Sequence, residues 1–357
     1  MKPGFLPDGR WSSLIRYVSA RVDLEETARR YGALRRRRKI RSAEELLHLA
    51  LMYGPGRQSL RSTAGLTVDA GLADLSDKGV MGRLQHMGEW LAHVLAVLLA
   101  EKLGKRPEPA GGLDLGVVDG SLICSPGSGE NWRLHARFDP ALGRFTDLVL
   151  SDAKQAERSD RTRIEPGETI IQDRGYARVR NFAAVLGAGG DFITRLGWRS
   201  LRLLDAEGQT IDLLSLLAQS PAIAEQTVYL HAIAQPLRLV IHRLPPEQAE
   251  RQRKRVKRKS GKAGHQMDPR TATAAGYLML LTSLPAQRAT PERIVQLYRQ
   301  RWQVELGFKR LKTIGGIDQL PATNPALART WLLAHLIAAV LTDELACRLV
   351  GFPPSSV

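Results

Sequence analysis

Apolar residues recur at three- and four-residue spacing in Leu14–Tyr17, Ala43–Tyr53 and Trp90–Leu103, which predicts helices and makes residues 1–108 a helical unit. Ser42, followed three residues later by Glu45, forms a capping box at the start of the second helix. Between the second and third helices, Ser59–Leu84 carries a Leu/Ala pattern broken by Gly65 and Gly71, and Ser76 with Asp77 caps a further helix over Lys78–His86. Two short helices around a tight turn fit either a helix-turn-helix or a plain bundle.

The texture changes at Gly104–Gly112 (GKRPEPAGG), a Pro/Gly-rich boundary. Beyond it the runs are short and β-like: Leu113–Val118 ending at Asp119-Gly120, then Arg133–Phe138 and Phe145–Leu150 as a hairpin around Asp139–Gly143. Thr169–Gln172 is a strand ending at Asp173, Val179–Leu186 a helix and Asp191–Arg195 another strand. Three strands in meander followed by strand–helix–strand predict an α/β (α+β) mixed sheet with flanking helices. Residues 196–285 read as a β-rich insertion, with runs at Val228–Ile233, Leu237–His242 and Tyr277–Thr282. From Pro291 the pattern is helical through Lys312, and again over Pro325–Val350. The expected division is therefore 1–108 helical, 109–195 first part of a core, 196–285 insertion, and 286–357 helices completing the core.

Charge changes the picture. Among 357 residues, 52 Lys and Arg face 36 Asp and Glu, a net charge of +16. A surplus of this size favours a polyanion, because each neutralised phosphate releases condensed counterions. The surplus is uneven: Arg35–Lys39 with Arg41 packs six cations into seven residues, and Arg251–Lys262 holds eight in twelve. The second segment is expected to be flexible or ordered only by a partner. Cys124 and Cys347 are too few for a disulfide framework or a zinc cluster, and the start MKPGFLPDGRW lacks the apolar stretch of a signal peptide. A cytoplasmic protein is expected. Trp331–Leu341, the most apolar stretch, falls short of the roughly 20 residues a membrane span needs and is expected to be a buried helix.

Asp119 and Asp173 each follow an apolar strand, where a carboxylate is held rigidly at the sheet edge. Two such groups on neighbouring strands repel unless a cation such as Mg²⁺ lies between them. Each is also a plausible turn-former when taken alone. On one continuous helix, at about 100° per residue, Tyr298, Arg301, Glu305 and Lys312 fall at roughly 0°, −60°, −20° and −40°. That stripe borders an apolar face of Leu297, Val304, Phe308 and Leu311. It places a carboxylate between cations at the rim of a core, or else a simple Arg301–Glu305 ion pair on a solvated helix.

The spacing Tyr-x2-Arg-x3-Glu-x6-Lys, written YRQRWQVELGFKRLK, resembles the YREK signature of DDE transposases of the IS-four family of bacterial insertion sequences. Val118-Asp119-Gly120 and Gln172-Asp173-Arg174-Gly175-Tyr176 resemble that family's two Asp motifs, and Leu281–Pro285 also matches. The resemblance implies a ribonuclease-H-like core in which Asp119, Asp173 and Glu305 gather two Mg²⁺ ions, with Mn²⁺ able to substitute. It implies cleavage of double-stranded DNA at terminal inverted repeats and strand transfer into target DNA, with a homodimer in the DNA complex and no membrane. Tyr298, Arg301 and Lys312 match DNA-contacting positions of the signature, and Arg195 falls where the family often has such an Arg. Trp198 and Tyr277 are candidates for stacking a displaced base, or else core aromatics. Gly175 and Tyr176 are expected to shape the turn after Asp173. A nuclease without strand transfer, or a DNA-binding regulator derived from a transposase, shares parts of this pattern.

Overall fold

The structure is a computed structural model that describes residues 9–103, 112–127, 131–262, 264–313 and 315–350. All but the last residue of the expected 104–112 boundary lies outside them.

Six helices come first: α1 (Gly9–Ser19), α2 (Leu24–Arg30), α3 (Ala43–Tyr53), α4 (Leu60–Asp69), α5 (Asp77–Leu84) and α6 (Gly88–Leu103). Their starts follow capping chemistry. Ser42 accepts from the Glu45 amide at 3.2 Å while the Glu45 carboxylate reaches back to the Arg41 amide at 2.6 Å. Ser59 and Ser76 cap α4 and α5 in the same way, through the amides of Ser62 and Gly79. Gly65 does not break the pattern as expected; it lies inside α4. Gly71, with φ of 65°, makes the turn that follows. In the basic run, Arg37 is paired with Glu25 and Lys39 with Asp74.

Next come β1 (Leu115–Ile123), β2 (Trp132–Asp139), β3 (Arg144–Asp152), β4 (Thr169–Gln172), α7 (Val179–Gly187) and β5 (Asp191–Arg195). They are followed by α8 (Leu213–Gln219), β6 (Ile223–Leu230), β7 (Ile233–Arg243), α9 (Pro246–Lys262), α10 (Pro269–Ala274) and β8 (Tyr277–Thr282). The chain closes with α11 (Pro291–Arg299), α12 (Trp302–Thr313) and α13 (Pro325–Val350). The strands form one eight-stranded mixed sheet in the order β3-β2-β1-β4-β5-β8-β7-β6. Strand β1 pairs antiparallel with β2 and parallel with β4, and β4 parallel with β5. This is a ribonuclease-H-like mixed sheet with flanking helices.

Alternation along the strands divides the core in two. Val117, Ile171, Ile193 and Leu280 face one cluster, which they share with the six N-terminal helices and the three C-terminal ones. Val118, Ile170, Phe192 and Leu281 face a second cluster with Phe182 of α7 and Val228 and Leu237 of the β6–β7 hairpin. Trp331 and His335 of α13 are buried, as expected of Trp331–Leu341. Among the described residues α13 alone is long and apolar enough to cross a membrane, and 67% of its candidate span is buried in the protein.

Four further sequence expectations give way. Strand β1 continues past Asp119 to Ile123. The run Val228–Ile233 spans a turn, because Leu230 of β6 pairs with Ile233 of β7. The basic segment is not irregular: it forms α9, opened by Pro246 and stitched by Glu247–Arg251 and Glu250–Lys254 pairs. Finally, the stretch from Pro291 to Lys312 is two helices. The amides of Gln300, Arg301 and Gln303 bond three residues back rather than four, which tightens the chain into a break between α11 and α12.

Candidate active site

Parallel pairing of β1 with β4 ends at Val118 opposite Gln172, so Asp119 and Asp173 are the next residues on two adjacent strands. Asp119 is not at a strand terminus as expected. It sits mid-strand at the point where β4 stops alongside, and this opens one side of β1 to solvent. Each carboxylate is locked by the backbone behind it: Asp119 accepts from the Gly120 amide at 2.8 Å and Asp173 from the Gly175 amide at 2.7 Å.

Glu305 comes from the first turn of α12. That helix lies close on the β2–β3 hairpin because Gly307 faces Phe145; a Cβ at Gly307 would stand 2.6 Å from the ring. Phe308 packs beside it, its ring centre 5.6 Å from that of Phe145. The guanidinium of Arg301, at the α11–α12 break, joins the two elements. Its Nη2 donates to Glu305 Oε1 at 2.8 Å and its Nη1 lies 3.8 Å from Asp119 Oδ2. The Asp119 side chain is 16% exposed and that of Glu305 56% exposed. Lys312, further along α12, donates from Nζ to the Leu122 carbonyl of β1 at 2.9 Å. Asp119, Glu305, Lys309 and Lys312 line one groove of about 490 Å³ together with Ser121 and Asp318.

Burial raises the Asp119 carboxyl to about 7, and the charge of Asp173 pushes the same way; the Gly120 amide and Arg301 oppose them. The Tyr298 hydroxyl, buried on α11, is raised to about 12, chiefly by burial; Arg301 and Arg195 pull it down and Asp173 pushes it up. Tyr298, Arg301 and Arg195 therefore share one electrostatic neighbourhood with the two aspartates. Trp198 and Tyr277 do not line the groove. Both pack against the second core cluster, and the Trp198 indole N–H donates to Thr271 Oγ1 at 3.2 Å.

Asp119 holds its proton more tightly in the folded chain than at the free value of 3.8. The stability this proton lends is fully present below about pH 4 and is lost as pH rises through about 7. In metal-free protein the Tm should fall between about pH 5 and pH 8, and calorimetry of Asp119→Asn should show a flatter profile. Identical slopes in the two proteins would refute the assignment.

Sequence reasoning missed Lys309 and Asp318 of the groove, and a carboxylate beside the two aspartates. Glu157, in the loop between β3 and β4, bonds Arg133 Nη1 at 2.6 Å and sits beside both Gly120 and Gly175. No periodicity marks it. The only trace in the sequence is that both aspartates are followed closely by a glycine.

Residues 111–341 match the family described as the transposase DDE domain. Over 360 residues the chain is 38% identical to the InsL transposase assigned to insertion sequence element IS186A of Escherichia coli (strain K12), covering 97% of this chain and 96% of that protein. It is 37% identical to the transposase for IS421 of Escherichia coli, with the same shares covered. It is 23% identical to the transposase for IS231F of Bacillus thuringiensis subsp. israelensis, over 93% of this chain and 78% of that protein. The chain belongs to the DDE transposases of bacterial insertion sequences, in their IS-four branch.

Proposed function

We propose that the chain cuts DNA at the terminal inverted repeats of its own insertion sequence and joins the ends to target DNA, with Asp119, Asp173 and Glu305 holding two divalent cations. Mg²⁺ is the expected ion and Mn²⁺ a substitute. The observation that carries this reading is the placement of Asp119 and Asp173 side by side, with Arg301 tying Glu305 to Asp119.

Among the described residues, no three His, Cys, Asp or Glu side chains stand close enough together to chelate an ion as they are. The donor chemistry nevertheless fits: three hard oxygen ligands, one of them buried beside a like charge that a cation would offset. Two such ions, held by these carboxylates, would supply Lewis acidity to activate a water or a DNA 3′-hydroxyl and to stabilise the leaving oxygen. The protein's own part is to fix the carboxylates and present cations to phosphate. Arg301 offers a bidentate guanidinium, Lys312 a point charge and Tyr298 a hydroxyl, with Arg195 behind them. Residues 1–108 are assigned to end recognition, Trp198 or Tyr277 to stacking a displaced base, and the DNA complex to a homodimer in the bacterial cytoplasm. The test is linear DNA bearing the element's inverted repeats, incubated with Mg²⁺ or Mn²⁺: cleaved ends and joined products are expected. Binding without either product would leave the regulator reading, and cutting without joining the nuclease reading.

Helix α9 adds a phosphate-binding surface. Only Ala249 of its 17 residues is buried, so packing does little to hold it. Among the described residues no carboxylate pairs with Arg255, Lys257 or Arg258. Replacing these three with Gln should weaken DNA binding and flatten the plot of log affinity against log salt by about 2 to 3, at roughly 0.9 per lost contact. An unchanged slope would remove α9 from the interface.

A further inference from the structure

The two glycines beside the aspartates border the same side chain. A Cβ at Gly175 would stand 2.1 Å from Glu157 Oε2, and a Cβ at Gly120 would stand 3.4 Å from Glu157 Cγ and 3.5 Å from its Oε1. The Glu157 side chain thus occupies the space that a Cβ at Gly175 would need, and stands at ordinary contact distance from the Cβ position of Gly120. Arg133 grips Oε1 at 2.6 Å and leaves Oε2 turned toward the Asp173 turn.

A second, independent feature points into the same spot. The Tyr176 side chain is fully buried, and its hydroxyl has no hydrogen-bond partner. That hydroxyl lies 3.6 Å from the same Gly120 Cβ position that Glu157 borders. The charges of Asp119, Glu157 and Asp173 all act on this buried hydroxyl, and an unpaired buried hydroxyl among them calls for a polar occupant. Divalent cations of the Mg²⁺ class keep several of their waters, and carboxylates beyond the direct ligands hold those waters in place.

We propose that Glu157 is a fourth acidic residue of this site, a positioning residue that, with the Tyr176 hydroxyl, holds the water shell of the cation bound at Asp119 and Asp173. Asp119 then stands between two anionic flanks, Glu305 through Arg301 on one side and Glu157 with Asp173 on the other. Glu157 acts from just outside the coordination sphere, in keeping with its hold on Arg133. The glycine of the Asp-x-Gly motif then makes room for this carboxylate as well as shaping a turn. The inference rests on the reading of Asp119 and Asp173 as cation ligands.

The experiment titrates the metal-free full chain with Mn²⁺ and follows free Mn²⁺ by electron paramagnetic resonance. Glu157→Gln keeps the shape and an acceptor for Arg133, and should weaken Mn²⁺ binding by about 10- to 100-fold. Gly175→Ala removes no acid but displaces Oε2, and should weaken binding in the same direction. Tyr176→Phe should weaken it less. Arg133→Met breaks the ion pair while keeping the carboxylate, and serves as the control for a purely structural role. If Glu157→Gln and Arg133→Met lower the Tm alike while Glu157→Gln and Gly175→Ala bind Mn²⁺ as wild type does, the proposal is overturned. Should Glu157→Gln not fold, Gly175→Ala and Tyr176→Phe decide it. Loss of binding in Asp119→Asn and Asp173→Asn, with Glu157→Gln and Gly175→Ala unaffected, sinks only this inference. Unchanged binding in the aspartate variants, or none in wild type, sinks the cation reading with it.

Discussion

Asp119→Asn should abolish end cleavage, by about a thousandfold or more, while leaving the protein folded and bound to DNA ends. A loss of this size is the scale on which removing one charged group from a phosphoryl-transfer site falls. The isosteric amide keeps the strand geometry and removes the charge crowded against Asp173, whose proximity helps raise Asp119 to about 7. In metal-free protein at neutral pH the variant should therefore be no less stable than wild type. Asp173→Asn and Glu305→Gln should lose cleavage on the same scale. Because the three act as a unit, the double Asp119→Asn/Asp173→Asn variant should be no worse than either single one. A gel assay of cleaved ends beside a shift assay of bound ends separates the two effects. Near-wild-type cutting by any of the three would displace that residue from the site.

The largest effect on stability is expected from a pair remote from the groove. Arg137 of β2 and Glu168, just before β4, form an ion pair with side chains 1% and 0% exposed. Arg137 also donates to the Thr146 hydroxyl, and Glu168 accepts the Glu165 amide at 3.1 Å. The pair is accommodated beside β1 only because Gly116 has no side chain; a Cβ there would stand 2.4 Å from Glu168 Oε1. Glu168→Gln leaves the guanidinium buried without its counter-charge and should cost about 3–5 kcal/mol. In Tm this is a fall on the order of 10 °C, at ~2–4 °C per kcal/mol. Arg137→Met/Glu168→Leu, which buries no charge, should cost less than either single substitution. Chemical unfolding of wild type, Arg137→Met, Glu168→Leu and the double variant checks this, and simple additivity would refute the account of the pair as one unit.

Much of this molecule is legible in the chain because its strongest signals are local. Hairpin β2–β3, strand–helix–strand β4–α7–β5 and the Ser42 cap each follow from a few neighbouring residues. The alignment of Arg301 with Glu305 was also readable, since four residues of helix bring them together. What was not readable depends on partners far along the sequence. Asp119 reads as the end of a strand because β4, which stops beside it, lies 54 residues away by the register of Val118 with Gln172. The break at Gln300-Arg301 leaves no mark in the apolar pattern, which continues across it. Glu157 lies in a loop, where neither period of two nor of 3.6 applies. Helix α9 differs: its charge density suggests an irregular segment, yet its Arg, Lys, Gln and Glu are good helix formers, and in the fold their propensity prevails.

The sheet order carries a consequence for damaged copies of the gene. Strand β8 pairs with β5, although residues 196–276 separate them in the chain. A reading frame that stops anywhere in that interval yields a product whose β5 presents a bare row of amides and carbonyls in the middle of what should be a continuous sheet. Such a fragment has every element of the amino-terminal helices, yet it carries a sticky edge at its centre. Decaying copies of the element would then feed aggregation and proteolysis rather than accumulate as soluble competitors for DNA ends.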